Sequence, residues 1–337
     1  METEHHIRLT SAEVSNLWTS YINNSLSICT LSYFLDKTED TEIKAVLEFV
    51  LDVARKNLEG AKVIFKEENY PIPIGFTKDD VNLKAKRLWA DTLFLHYVDQ
   101  MAKTGFAAYG ISASLSARSD VREYFNKCLT LNKEINNKVK DALLSKGLYI
   151  RAPFIAPPNK VDFVEKQGFL TGWFGERKPL LAVEIMNLYH NIQTNAIGKA
   201  LIMGFSQVAD TQDARDYFKR GKEISVKQTE VFRSILKDED IPTPMTWDTE
   251  VLDSTEAPFS DKLMMFHVSL LSATGIGNYG AAISTSTRRD LATHYLRLLG
   301  EIGQFAEDGA NLMIKHGWME EPPQSTDREG LTKKSKP

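Results

Sequence analysis

At 337 residues, with 42% hydrophobic and 26% charged side chains of both signs, the chain is long enough for two cores of ordinary size. A formal net charge of −4 offers no basic field for nucleic acid or an anionic membrane, and no apolar run approaches the roughly 20 residues that cross a bilayer. The opening METEHHIRLT lacks the apolar segment of a secretory signal, so the expected compartment is the cytoplasm, with neither nucleic acid nor membrane as partner.

After a polar leader, Thr10 and Glu13 form a capping-box pattern that opens a helix over about 10–36, carried by Val14, Leu17, Trp18, Tyr21, Ile28, Leu31 and Leu35. A second helix carries Val46, Val50, Val53, Ala61 and Ile64 and stops before Tyr70-Pro71-Ile72-Pro73, where proline removes a backbone donor. A third is expected over about 83–114, ending in the small residues Gly105, Ala107, Ala108 and Gly110. A fourth, over about 119–146, alternates Val121, Phe125, Cys128, Asn132, Ile135, Val139 and Ala142 and closes on Lys146-Gly147. Four such helices, each about 40 Å long, make a four-helix bundle over residues 1–150.

Residues 151–178 change character, with Pro153, Pro157, Pro158 and the run Gly168-Phe169-Leu170-Thr171-Gly172-Trp173-Phe174-Gly175. This bridge is expected to lie against a bundle, anchored by Phe169, Trp173 and Phe174. The pattern then restarts over 179–324. Glu13, Asn24, Lys56, Glu59, Pro71 and Pro73 return as Glu184, Asn195, Lys227, Glu230, Pro242 and Pro244, 171 positions later. Gly105, Tyr109, Gly110, Ser114, Ser116, Arg118 and Asp120 return 170 positions later as Gly275, Tyr279, Gly280, Ser284, Ser286, Arg288 and Asp290. The chain is therefore two copies of one unit, followed by a polar tail over 325–337 that is expected to be disordered. Cys29 and Cys128 are the only cysteines, and their counterparts Ala200 and Leu298 mark them as packing residues.

Two long-helix bundles in tandem, with the Tyr-Pro-x-Pro stop and the Gly-Phe-Leu-Thr-Gly-Trp-Phe-Gly bridge, resemble an uncharacterised family of ferritin-like proteins from spore-forming bacteria, a domain of unknown function distantly similar to the spore coat F group. The resemblance implies an all-α protein of two tandem ferritin-like up-and-down four-helix bundles, with crossovers at 70–82 and 241–252. It implies no established activity, only a setting in sporulation or stress.

A ferritin-type metal site needs Glu-x-x-His, which puts two ligands on one helix face, and the chain has none. Glu13-x-x-Asn16 and Glu184-x-x-Asn187 stand at helix starts, where the acids serve as caps. Asp52, Lys56 and Glu59, like Glu223, Lys227 and Glu230, fall off the apolar line and are expected as a solvated ladder. His190, His267 and His294 lie on three helices of the second unit and form the candidate metal set, although none repeats in the first. Asn24 and Asn57, with Asn195 and Gln228, are amides on the apolar lines near mid-helix; they read as register-fixing polar layers or as a small-ligand site.

Gly275-x-Gly277-x-x-Gly280 matches a dinucleotide fingerprint but follows no strand, so these glycines and Gly105 and Gly110 are expected to let helices approach. The Ser-x-Ser-x-Arg-x-Asp twins are expected to cap the fourth helices, with the arginines bonding carbonyls that end the third. Acids at helix ends, Glu67-Glu68 and Asp238-Glu239-Asp240, oppose the dipole without an account. No cofactor is expected. The reading is a non-catalytic structural or binding protein, with a metal-dependent enzyme or store and a small-ligand carrier as alternatives. The partners left open are a further copy of the chain or another protein.

Overall fold

Residues 7–172 and 178–334 are described by a computed structural model that is all-helical apart from two isolated bridges. The first bundle comprises α1 (Ser11–Lys37), α2 (Thr41–Glu67), α3 (Asp91–Leu115) and α4 (Ser119–Ser145). The second comprises α5 (Ala182–Val208), α6 (Gln212–Lys237), α7 (Asp261–Thr285) and α8 (Arg289–Lys315). The tandem of four-helix bundles is thus the one expected.

Helix starts follow the capping chemistry. The Thr10 hydroxyl accepts from Glu13 N while the Glu13 carboxylate accepts from Thr10 N, and Asp40 caps α2 through the backbone N–H groups of Glu42 and Ile43. Antiparallel order is fixed at both ends of the first bundle. Lys146 after α4 pairs with Asp40 before α2, and Glu13 at the start of α1 accepts from Arg118 N beyond α3. The Asp52, Lys56 and Glu59 ladder is exposed, as the spacing predicted.

The third helix begins later than expected, at Asp91 rather than near 83. Each crossover is correspondingly longer, because its last stretch is held extended by the other one. Val81 bridges Phe259 and Trp89 bridges Val251, an antiparallel pairing of counterparts. Ala90 N donates to Glu250 O and Ser260 N to Asp80 O; Leu252 N donates to Leu88 O and Asn82 N to Pro258 O. Exchanging the two units maps these bonds onto one another, so the halves are joined about a pseudo-two-fold axis. On that axis two counterparts meet, the Tyr97 hydroxyl lying 3.2 Å from His267 Nε2.

Apolar packing seals the junction. Trp89, fully buried, crosses from the first crossover onto Gly204 of α5, where a Cβ would lie 2.6 Å from the indole, and its Nε1 donates to Ala200 O. At the mirrored position the smaller Phe259 crosses onto Tyr33, the counterpart of Gly204. One buried cluster therefore draws on both bundles, and separate clusters occupy each bundle's outer end.

Just before the bridge Leu148–Ile150 pack on the core; within it Gly172 lies against Asp290, while Phe154, Val161 and Phe163 stand in solvent. Phe169 is half-buried, and Trp173 and Phe174 lie outside the described residues. The tail expected to be disordered carries a short helix, α9 (Arg328–Lys334). Before it, Glu320 accepts from the N–H groups of Ile74 and Gly75 and ties the chain's end to the first crossover.

The junction holds two buried histidines. Burial lowers the pKa of His96, which stacks on Trp247 with Asp99 and Lys103 acting in opposite directions, to about 4. Burial does the same for His267, also to about 4. A folded value below the ordinary 6.5 means that the folded state favours the neutral ring. Their contribution is complete above about pH 6.5 and is lost as the pH falls toward 4. The thermal midpoint should fall across that window, and less steeply in His96→Phe, which installs the side chain of its counterpart Phe266. Equal slopes for the two proteins would contradict the assignment.

Candidate functional site

Midway along each bundle, between the junction cluster and the outer cluster, the apolar lines are broken by amides. In the first bundle Asn24 and Asn57 both direct their amide nitrogens at the Tyr109 hydroxyl, at 3.4 and 3.3 Å. In the second the Tyr279 hydroxyl donates to Gln228 Oε1 at 2.7 Å and accepts from Asn195 Nδ2 at 2.9 Å. The four sequence-predicted amides thus converge within their own bundles on a repeated tyrosine rather than on one another. Burial pushes Tyr109 up to about 12 and raises Tyr279 above its ordinary range, against the amide contacts, so both are neutral hydroxyls near neutral pH.

The two layers differ in how they are filled. In the first, Gly60 admits the Tyr124 ring, whose hydroxyl lies 2.8 Å from Ser20 Oγ and donates to Asn57 O. In the second, Tyr124 is replaced by the half-buried His294, Gly60 by Val231 and Ser20 by Asn191. A cavity of about 50 Å³ remains there, lined by Asn191, Asn195, Ser225, Gln228 and Ser272 with Ile302 and Phe305. Asn191 is 1% exposed, and its Oδ1 has no hydrogen-bond partner. The Tyr295 hydroxyl stands beside Asn191 but likewise makes no bond of normal geometry. Outside this chamber, α6 and α8 enclose a surface cleft of about 390 Å³ crossed by the Arg220–Asp308 and Lys227–Glu301 pairs. Ile224 and Phe305 belong to both walls.

Tyr279→Phe should cost about 1–3 kcal/mol, because it strips Gln228 Oε1 of its donor inside a closed layer. Urea unfolding measures this; a loss below about 0.5 kcal/mol would mean that solvent replaces the hydroxyl.

Sequence reasoning missed Asn191, Tyr295, Ser225 and Ser272. The available signal was Asn191 standing one turn before Asn195 on the same helix face.

The remaining candidates have other uses. His267 is taken up at the junction, His190 stands beside Asn278 near Lys103 and Asp99 of the first bundle, and His294 sits on the flank of α8. Among the described residues no three His, Cys, Asp or Glu side chains gather where they could hold a metal ion. Of the glycines, Gly105 and Gly275 do allow close packing, against Asn132 and Ile302. Gly110, Gly277 and Gly280 do not: a Cβ there would meet nothing within 4 Å.

The Ser-x-Ser-x-Arg-x-Asp twins are not caps, since Ser116 bonds back to Ser112 O and the starts of α4 and α8 have no side-chain cap. Arg118 instead grips Asp120 and Glu68, and Arg288 grips Asp290 and Glu239. These arginines account for Glu68 at the end of α2 and Glu239 at the end of α6. Glu13 and Glu184 complete the corners by accepting from Arg118 N and Arg288 N.

A family described as "Protein of unknown function (DUF3231)" matches residues 1–161 and again 168–331. No curated protein matches the chain. A solved structure it resembles is a protein of Bacillus halodurans, provisionally designated a spore coat protein. The two are 18% identical with a TM-score of 0.41, over 44% of this chain and 98% of that one. No helix among the described residues is long and apolar enough to cross a membrane.

Proposed function

The chain belongs to the DUF3231 family of unknown function, and we propose that it acts as a non-catalytic ferritin-like scaffold that binds a small molecule inside its second bundle. The observation that carries this reading is the cavity at the amide layer, with the acceptor Asn191 Oδ1 buried beside it and unsatisfied. An unpaired polar atom in a closed interior is costly, and a bound molecule or water removes that cost. The first bundle, whose layer is occupied by its own Tyr124, serves as the structural half of the tandem. A setting in sporulation or stress follows from the family resemblance alone.

The tyrosines of both layers are neutral and no charged side chain lines the cavity, so the site is suited to holding a molecule rather than to transferring its protons. Native mass spectrometry of protein purified without a histidine tag should show a small adduct that is released on denaturation. Protein that stays bare even when sprayed with a concentrated small-molecule extract of the cells, where weak ligands remain bound, would remove the binding role. Stoichiometric iron, manganese or zinc in the same preparation would replace this reading with a metal-dependent one.

A further inference from the structure

Resting on that reading, we propose that the ligand of the second bundle is a small uncharged molecule bearing an N–H or O–H donor, of the amide or polyol class, which enters from the α6–α8 cleft past Phe305. The class follows from what surrounds the cavity. Its lining consists of amides, hydroxyls, glycines and apolar side chains, and no carboxylate, ammonium, guanidinium or imidazole faces it. An ion moved into such a chamber would lose its hydration without a counter-charge.

A neutral molecule loses far less. The unsatisfied groups then specify its polarity: Asn191 Oδ1 requires a donor, and the neighbouring Tyr295 hydroxyl can complete either a donor or an acceptor. The volume specifies its size. About 50 Å³ accommodates roughly three to five water-sized groups, the length of acetamide or ethylene glycol.

The chain contains its own control. In the first bundle Ser20, the counterpart of Asn191, is already satisfied by the Tyr124 hydroxyl, which also bonds the Asn57 carbonyl. Because that hydroxyl gives its proton to Asn57 O, it accepts from Ser20 Oγ, and the first layer is satisfied by the chain's own side chains. With His294 in place of Tyr124 and Val231 in place of Gly60, the second bundle has no such ring to insert.

The route is equally specific. Phe305 lies stacked on Tyr217 at 4.2 Å and is seated on Gly221, where a Cβ would come within 2.7 Å of the ring. It forms wall to both the chamber and the outer cleft, as does Ile224. Rotation of the Phe305 ring is therefore the proposed way in from the cleft.

The test uses the whole chain with methyl-labelled isoleucines and acetamide as probe, against acetate of the same shape and opposite character. Acetamide should shift the Ile302 and Ile224 methyl signals saturably, with contacts from its methyl group to both, and with a dissociation constant in about the 0.1–10 mM range expected of four heavy atoms. Asn191→Leu, close in volume but without the acceptor, should weaken that response at least tenfold. Should the variant fail to fold, the wild-type contacts decide the location on their own. Equal binding by Asn191→Leu, or contacts at other isoleucines, would overturn the proposal. Acetate binding as well as acetamide would overturn the neutral class while leaving the binding reading intact. No saturable response to acetamide or ethylene glycol would overturn the inference, whereas the adduct seen or missed in native mass spectrometry separately decides the reading beneath it.

Discussion

Trp89→Ala should lower the unfolding free energy by about 3–5 kcal/mol, the range for emptying a fully buried large aromatic site. The indole touches Tyr33 and Phe34 on its own side and Phe205 and Phe259 on the other, and it gives its N–H to Ala200 O. Truncation therefore opens a void that neither bundle closes alone, and it leaves a buried carbonyl without that donor. The damage should cross the junction. Hydrogen exchange at the α5 amides around Ala200–Phe205 should accelerate together with that of α3, although the substitution is in the first crossover. A loss under about 1 kcal/mol with unchanged exchange in α5 would show that the two bundles stand independently.

Arg288→Leu should cost a similar amount, about 3–5 kcal/mol, because it strands carboxylates that the guanidinium now neutralises. The side chains of Arg288 and Asp290 are only 2% and 4% exposed, and Glu239 is 16% exposed. In the first bundle Arg118 is 12%, Glu68 10% and Asp120 42% exposed, so water compensates at Asp120 and Arg118→Leu should cost less. Equilibrium urea unfolding of the two variants measures the contrast. Adding Asp290→Asn and Glu239→Gln to Arg288→Leu should restore part of the loss, since the residual cost is that of uncompensated charge. Equal losses from the two arginines would mean that burial does not set the scale.

The helical units were legible because their signals are local: capping boxes, a 3-to-4 spacing of apolar residues and a proline stop. Where structure depends on partners far along the chain, the sequence misleads. The sequence places the start of a helix near residue 83, yet Leu88 and Trp89 are held extended by residues about 160 positions away. Likewise Glu68 and Glu239, ending α2 and α6, conflict with the helix dipole when read locally, and they are explained by arginines some 50 positions later. The amide layer was visible through repetition, since Asn24 and Asn57 have counterparts in Asn195 and Gln228. The cavity was not visible, because polar residues of its lining are ones at which the copies differ: Asn191 for Ser20, Ser225 for Ala54 and Ser272 for Ala102. Likeness between copies marks what holds the bundle, and difference marks what one bundle does alone.

The crossing of Trp89 onto Gly204 and of Phe259 onto Tyr33 also sets which halves accept each other. Two first halves docked in this way would force each indole into the other's tyrosine, whereas two second halves would leave a phenylalanine facing an empty glycine. Duplication has thus made the halves complementary rather than identical, like a left and a right glove. Severed at the bridge, unlike halves should dock in preference to like ones.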